Sequence, residues 1–186
     1  MLNSTWYFNV YKNQFSHEWC DQVIEHAYEN SEQSGEAEFG FNGRSCNIRW
    51  IAQPWIFDEI DPKIARANEE CKWNFAYEYL EPLQYTEYEV GHEYRWHIDT
   101  YPHVKEGNIQ RKLSFSIMLS DRSEYEGGDM HFVSGLPNNE AEYDTPVSLE
   151  KGDIVIFPSY VPHKVNVIGG GLRRSLVGWT MGPAWR

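Results

Sequence analysis

The sequence is poor in cysteine and in basic residues, and it contains no long apolar run. Its three cysteines are an odd number without a Cys-x-x-Cys pair, so they predict no disulfide framework and fit a reducing compartment. No window approaches the apolar length of a membrane span. The first residues, MLNSTWYFNVYKNQF, lack the basic and apolar regions of a signal peptide. We therefore expect a cytoplasmic protein with no membrane contact.

The excess of acidic residues limits the kind of partner. Lys and Arg number 16 against 28 Asp and Glu, which gives a formal net charge of −12 and a pI near 5.0. A non-specific binder of the phosphate backbone needs the opposite sign, so we expect no nucleic-acid partner. A local basic patch stays compatible with this balance, and a small anionic ligand would need a local cation.

Three common catalytic signatures are also missing. The sequence has no Gly-x-Ser-x-Gly elbow, no Walker loop and no Gly-x-Gly-x-x-Gly fingerprint. Aromatic residues, in contrast, are plentiful at 16%, with 8 Trp, 12 Tyr and 9 Phe. This composition favours a β-rich sandwich with an aromatic-lined pocket.

At 186 residues the chain predicts one domain that can bury a full core. Alternation predicts a strand over residues 6–11, and Ser16 is the expected N-cap of a first helix. Another strand is expected over 46–51. An apolar stripe predicts a second helix from about 54 to 79, which Pro62 could divide into two, because proline is tolerated only in a first turn.

From Gln84 onward, short strands separated by turn residues follow one another at the spacing of a sandwich or barrel. The predicted fold class is mainly β (α+β), a double-stranded β-helix (jelly-roll) core with supporting N-terminal helices on the outside of a sheet. Residues 1–83 supply the helices and the first strands, and residues 84–186 supply the jelly-roll core of a single domain.

His97 and Asp99, followed far downstream by His163, are the candidate metal ligands. Side chains at i and i+2 of a strand point to the same face, roughly 7 Å apart at about 3.3 Å per residue. Two imidazoles and one carboxylate form the facial triad that binds non-haem Fe(II) and leaves coordination positions open. A His-x-Asp tripeptide also occurs by chance at solvated strand ends, so this interpretation depends on the surrounding residues.

Two other histidines bear on this site. His131 is the serious rival for the third ligand, because it lies on a predicted strand after Gly127-Gly128. We prefer His163, since the strand GDIVIFPS leads directly to it. His103 follows Tyr101-Pro102 and is expected on a loop over the site.

Four residues share one face of the last predicted strand, and that face can be the interior of the sandwich: Arg173, Ser175, Val177 and Trp179. An arginine facing the core would be an unpaired buried charge unless an anion meets it. A planar guanidinium binds a carboxylate in bidentate fashion. An exposed arginine in a salt bridge is the alternative, because Arg174 is adjacent and strand parity can slip by one residue.

The segments around these residues resemble prolyl 4-hydroxylases and the related bacterial PKHD-type hydroxylases. From Tyr88 to Asp99, the residues YEVGHEYRWHID match the region of the first two ligands without a gap. His163 precedes Arg173 by ten residues and Trp179 by sixteen, as in that family. The likeness covers roughly residue 84 to the C-terminus, and its further segments are RKLSFSIMLSD at 111–121, EGGD at 126–129, KGDIVIFP at 151–158 and PHKVNVIGGGLRRSLVGWTMGP at 162–183.

This resemblance implies an Fe(II)- and 2-oxoglutarate-dependent dioxygenase that uses O2 to hydroxylate a C–H bond. It implies that iron is bound by His97, Asp99 and His163. It implies that Arg173 and Tyr88 hold the far carboxylate of 2-oxoglutarate, and that ascorbate reduces stalled iron. The substrate contacts that it implies are Tyr94, Arg111 and Trp179.

The resemblance is less specific for the substrate than for the iron chemistry. The prediction is a peptidyl proline in an extended peptide. A free amino acid or small metabolite is the alternative within the same chemistry, and a cupin-like metal enzyme or a non-catalytic β-sandwich binding module would use the fold differently. One position departs from the family pattern, because Met130 stands where prolyl 4-hydroxylases often carry a threonine that touches the co-substrate.

Overall fold

The computed structural model describes residues 7–30, 43–100, 108–134 and 144–185, so His103 lies outside the described residues. Within these segments the helices are α1 (His17–Asn30) and α2 (Pro54–Glu70). The strands are β1 (Asn9–Tyr11), β2 (Asn47–Ile51), β3 (Tyr79–Leu80), β4 (Leu83–Tyr88), β5 (Tyr94–His97), β6 (Ile109–Met118), β7 (Tyr125–Gly127), β8 (Met130–Val133), β9 (Asp144–Val147), β10 (Ile154–Pro158), β11 (His163–Val165), β12 (Ile168–Gly171) and β13 (Arg173–Pro183).

Two larger sheets form the core of the fold. One has the strand order β1-β10-β6-β13-β4-β2, with β3 also paired to β13, and the other has the order β5-β11-β8-β9. β7 and β12 make a separate pair. The large and small sheets pack against each other through aromatic contacts such as Phe132 on Phe157, whose ring centroids are 4.9 Å apart. The predicted mainly β fold, a double-stranded β-helix with supporting helices, is confirmed.

Both helices cover the outer face of the large sheet, as the sequence predicts. α1 begins where expected, because the Ser16 hydroxyl accepts a hydrogen bond from the Trp19 N–H at 3.1 Å. The two helices bury their apolar stripes in one core with the sheet, and the buried positions are Cys20, Val23 and Ala27 on α1 and Ile56, Ile60, Ile64 and Ala67 on α2. In the described segments, neither helix combines the length and apolar character needed to cross a membrane.

The extent predicted for the second helix is wrong. α2 continues through Pro62 without a break and ends at Glu70 rather than near residue 79. Lys72 and Asn74 both have left-handed backbone angles, with φ of 57° and 52°, and these cannot continue a right-handed helix. The Asn68 side chain replaces the lost helical bonds, since it accepts from the Phe75 N–H at 3.0 Å and donates to the Phe75 carbonyl at 2.9 Å.

Candidate active site

A cavity of about 260 Å³ lies between the two larger sheets and is lined by residues of both. The eight residues that the family resemblance assigns to iron, co-substrate and substrate all line this one cavity: His97, Asp99, His163, Tyr88, Arg173, Tyr94, Arg111 and Trp179. They come from β4, β5, β6, β11 and β13, and Asp99 follows the end of β5. The fold therefore gathers side chains that are up to 91 positions apart in the sequence, from Tyr88 to Trp179.

Strand pairing brings the three candidate metal ligands together. β5 and β11 are antiparallel neighbours in which His97 and His163 are direct partners. Asp99 lies two residues beyond His97, where its N–H donates to the Ser159 carbonyl at 2.9 Å. The strand that we expect to carry both His97 and Asp99 thus ends before the carboxylate. The potential ligand atoms of the triad all lie within 4.8 Å of one another.

Both imidazoles are oriented by their second ring nitrogen. His97 Nδ1 lies 2.7 Å from the Arg95 carbonyl, and His163 Nδ1 lies 3.0 Å from the Val161 carbonyl. A carbonyl can only accept, so each Nδ1 carries the proton and each Nε2 offers its lone pair to a metal. The Nε2 atoms lie 3.7 and 3.5 Å from the two Asp99 carboxylate oxygens.

The electrostatics of the triad match a cation site. Burial, followed by the neighbouring His163, lowers the pKa of His97 well below its ordinary value. Burial by itself raises the pKa of Asp99, but His163 and His97 outweigh it, and the pKa of this carboxyl is lowered. Two imidazoles and one carboxylate form the donor set of a non-haem Fe(II) centre, so these residues fit that ion.

Arg173 lies deeper in the same cavity and is only 1% exposed. Its Nη1 donates to the Ser175 hydroxyl at 3.2 Å, whereas Nε and Nη2 are buried and have no hydrogen-bond partner within the described segments. Burial lowers the pKa of this guanidinium below its ordinary value. Two unpaired donors on one planar edge are the partner that a carboxylate needs, so the pocket fits an anionic co-substrate.

The neighbouring strand contributes Tyr88, the direct register partner of Arg173. The guanidinium carbon lies 5.5 Å from the centre of the Tyr88 ring. Burial raises the pKa of Tyr88, so its hydroxyl keeps the proton that it could donate to an anion. Met130 also lines the cavity, at the position where the family resemblance predicts a threonine.

The neighbour Arg174 resolves the question of strand parity. Its side chain points to the other face of β13, where it pairs with Glu87 at 3.4 Å and with Glu124 at 3.0 Å. The expected interior residues Arg173, Ser175, Val177 and Trp179 all line the cavity. The exposed salt bridge considered for Arg173 is thus made by Arg174.

The three candidate substrate contacts all line the cavity, and each is in contact with a neighbouring side chain. The Tyr94 ring stacks on the His97 ring with 3.5 Å between centroids. The Arg111 guanidinium lies 3.7 Å from the centre of the Trp179 ring and pairs with Glu81 at 2.6 Å. Tyr94, Arg111 and Trp179 thus offer two aromatic faces and one guanidinium, whose charge is already balanced by Glu81.

Several lining residues were not singled out from the sequence, and three of them lie outside or at the edge of the family-like segments: Arg44, Trp50 and Gln84. Arg44 and Trp50 lie on or near β2, outside the segments that carry the family resemblance, and no motif marks them. Gln84 is the first position of the resembling region, and its alternation with Thr86 and Tyr88 on β4 was the signal that could have placed it on the cavity face.

His131 is not near the triad, because its side chain leaves β8 on the opposite face from Met130. It hydrogen-bonds Asp144 and also contacts Asn166 Nδ2 at 2.7 Å through Nε2.

We expect His131→Ala to keep iron binding and turnover within a few-fold of wild type. Iron content after anaerobic dialysis checks this, and a loss of iron from His131→Ala with retention in His163→Ala would reverse the choice of third ligand.

Comparison with known proteins agrees with this geometry. Residues 83–181, more than half of the chain, match the family model of the 2OG-Fe(II) oxygenase superfamily. A PKHD-type hydroxylase of Synechococcus sp. (strain CC9902) is 41% identical over 91 residues, which are 49% of this chain and 37% of the relative. One of Colwellia psychrerythraea (strain 34H / ATCC BAA-681) is 27% identical over 163 residues, 85% of this chain and 69% of the relative.

The fold is also shared with solved structures. The viral collagen prolyl hydroxylase of Paramecium bursaria Chlorella virus-1, in its 2OG complex, superimposes with a TM-score of 0.71 at 17% identity, over 95% of this chain and 96% of that one. The alignment to the Synechococcus relative spans little more than a third of that protein's length. The family match contains the whole triad and Arg173, and the chain therefore belongs to the 2OG-Fe(II) oxygenase superfamily.

Proposed function

We propose that the protein is an Fe(II)- and 2-oxoglutarate-dependent dioxygenase that hydroxylates a C–H bond of a small unit bound in the cavity. One observation carries the proposal: a two-histidine, one-carboxylate cluster and a buried arginine with two unpaired donors line the same 260 Å³ cavity. A plain metal-binding fold needs the cluster alone. The buried cation adds the requirement for an anionic co-substrate.

In this proposal each residue has a limited task. His97, Asp99 and His163 hold Fe(II) and leave the remaining coordination positions for co-substrate and O2. Arg173, with Tyr88 as a second donor, holds the far carboxylate of 2-oxoglutarate and so fixes which end of the molecule faces the metal. The bound iron supplies the oxidation chemistry, in which 2-oxoglutarate becomes succinate and CO2 and the substrate gains oxygen.

The protein itself contributes position and exclusion of water. The His163 ring is packed against Phe157, with centroids 4.5 Å apart, and the Tyr94 ring covers His97. These contacts lock the rotamers of the ligands, which keeps the donor atoms preorganised. Tyr94, Arg111 and Trp179 form the wall against which the substrate would be held.

For the substrate we propose a prolyl unit. The support is the likeness in fold to a viral collagen prolyl hydroxylase and in sequence to PKHD-type hydroxylases. Aromatic walls bind the pre-extended conformation of proline well, at low ordering cost. A prolyl residue inside a peptide is the first form to test. A prolyl unit with a free carboxylate is the second form.

The test of the reaction class is metal analysis of protein purified without oxygen, combined with succinate release. We expect about one Fe(II) per chain and succinate release that requires 2-oxoglutarate, iron and O2 together. A cupin-like isomerase or hydrolase would hold Zn or Mn and give no such release. Iron-loaded protein that releases no succinate, with or without prolyl compounds, would contradict the proposal.

Two finer expectations belong to the same proposal. Ascorbate should prolong turnover by returning stalled iron to Fe(II), as the resemblance implies. Cys20, Cys46 and Cys71 are all free and buried, which supports the proposal of a reducing, cytoplasmic environment. We also propose that residues 1–186 act as one domain, with 1–83 as the support and 84–186 as the catalytic core.

A further inference from the structure

Arg44 is the third arginine of the described cavity lining, beside Arg111 and Arg173, and it has no part in the proposed handling of iron or 2-oxoglutarate. Its Nε donates to Cys46 Sγ at 2.9 Å, and its Nη2 donates to Gln84 Oε1 at 2.6 Å. The guanidinium carbon also lies 4.8 Å from the centre of the Tyr94 ring. Two directed hydrogen bonds and one ring contact hold this cation in a fixed orientation on the cavity wall.

The partners that orient Arg44 do not neutralise it. Gln84 is a neutral amide. Burial raises the pKa of Cys46, so its thiol keeps its proton, and Tyr88 is also protonated. Among the residues that the structure describes, no carboxylate pairs with Arg44.

The other charges of the cavity lining already have partners. The described lining contains three arginines and a single carboxylate, Asp99. Arg111 is neutralised by Glu81, Arg173 is reserved for the far carboxylate of 2-oxoglutarate, and Asp99 is reserved for the metal. With Fe(II) balanced by Asp99 and the keto-acid end of the co-substrate, one positive charge remains, and it is that of Arg44.

Position decides which part of a substrate could meet this charge. Tyr94 touches both groups, because its ring stacks on the ligand His97 and lies under the Arg44 guanidinium. An anion on Arg44 is therefore separated from the metal ligands by a single aromatic ring. A substituent of the reacting unit itself fits this short span, whereas an acidic side chain several residues away in an extended peptide does not.

We infer that Arg44 binds a carboxylate carried by the reacting unit of the substrate, so that the enzyme acts on a prolyl unit whose α-carboxylate is free. This inference rests on the proposed function and narrows its substrate class. The free amino acid and the C-terminal residue of a peptide share this chemistry. A prolyl residue inside a chain lacks it, because its carboxyl group is an amide.

The first test uses wild-type protein loaded with Fe(II) and 2-oxoglutarate in the absence of oxygen. The probes are L-proline against L-prolinamide, and glycyl-L-proline against glycyl-L-prolinamide. Binding is followed through tryptophan fluorescence, since Trp50 and Trp179 line the cavity. We expect the acid of a pair to bind about 10- to 150-fold more tightly than its amide, the range of a charge-assisted hydrogen bond. Tighter binding of L-proline than of glycyl-L-proline would identify the free amino acid as the preferred form. The reverse order would identify the C-terminal residue of a peptide.

The second test assigns the preference to Arg44. Arg44→Gln should abolish the discrimination between acid and amide. Arg44→Lys keeps the positive charge but loses the planar set of N–H donors, so it should retain part of the discrimination. Arg66→Gln is the matched control, because it also removes one arginine, and that side chain is 47% exposed on α2 and pairs with Glu70 outside the lining. This control should discriminate like wild type. If Arg44→Gln does not fold, the role of Arg44 is tested by comparing the binding of acid and amide in wild type with their binding in Arg44→Lys.

Three results would overturn the inference: equal binding of acid and amide by wild type, unchanged discrimination in Arg44→Gln, or tighter binding of glycyl-L-prolinamide, which resembles an internal proline, than of glycyl-L-proline. Failure of the proposed function has a different signature. In that case iron-loaded wild type would release no succinate from 2-oxoglutarate with any of these compounds, while the anaerobic titration would still report on Arg44.

Discussion

Asp99→Ala is expected to abolish Fe(II) binding and, with it, succinate release. Asp99 is the only carboxylate of the described cavity lining, and both of its oxygens face an imidazole Nε2, at 3.7 and 3.5 Å. Without it, the dication would be held by two neutral ligands and its charge would be poorly balanced. Changes in residues that only orient metal ligands typically cost about 10- to 100-fold in affinity, so loss of the ligand itself should cost more than about 100-fold.

The measurement is iron content after anaerobic dialysis, with turnover measured at saturating 2-oxoglutarate. Asp99→Asn keeps the shape of the side chain and should fail in the same way, which separates lost charge from lost packing. Asp21→Ala is the control, since Asp21 is 63% exposed on α1 and pairs with Lys151, away from the cavity lining. Full iron occupancy in Asp99→Ala would refute the assignment of the triad.

Much of this site was predictable because residues two positions apart on a strand point to the same face of the sheet. Period-two alternation places Arg173, Ser175, Val177 and Trp179 on one face of β13, and all four line the cavity. The parity of this strand was ambiguous between Arg173 and Arg174. The sheet resolves it, because Glu87 and Glu124 offer partners on the outer face.

Other features depend on contacts that spacing does not encode. The helix predicted to residue 79 ends at Glu70 because Lys72 and Asn74 adopt left-handed angles, although the apolar stripe itself includes Phe75. Arg44 illustrates the same limit at the site. Its position in the cavity lining follows from an isolated bridge to Tyr94. These residues are 50 positions apart in the sequence, and no local pattern predicts that they pair.

Arg173→Met is expected to raise the requirement for 2-oxoglutarate while iron stays bound. The side chain is 1% exposed, and its Nε and Nη2 have no hydrogen-bond partner among the residues that the structure describes, so its pairing energy is available to the co-substrate. A charge-assisted hydrogen bond contributes about 1.5–3 kcal/mol. Its loss should weaken the affinity for 2-oxoglutarate by about 10- to 150-fold.

Thermal shift of iron-loaded protein without oxygen measures this effect without turnover. At a 2-oxoglutarate concentration of about 100 times the wild-type Kd, binding stabilises by about 2.7 kcal/mol, or roughly 5–10 °C in Tm for a chain of this size. If the Kd rises about 100-fold, the same concentration should shift the Tm of Arg173→Met by only about 1 °C. Arg174→Met, which removes the adjacent cation from the other face of β13, is the matched control. That variant should lose stability because buried Glu87 loses a partner, yet it should keep the full shift on adding 2-oxoglutarate. A full shift in Arg173→Met would mean that another cation, with Arg44 the first to examine, anchors the co-substrate.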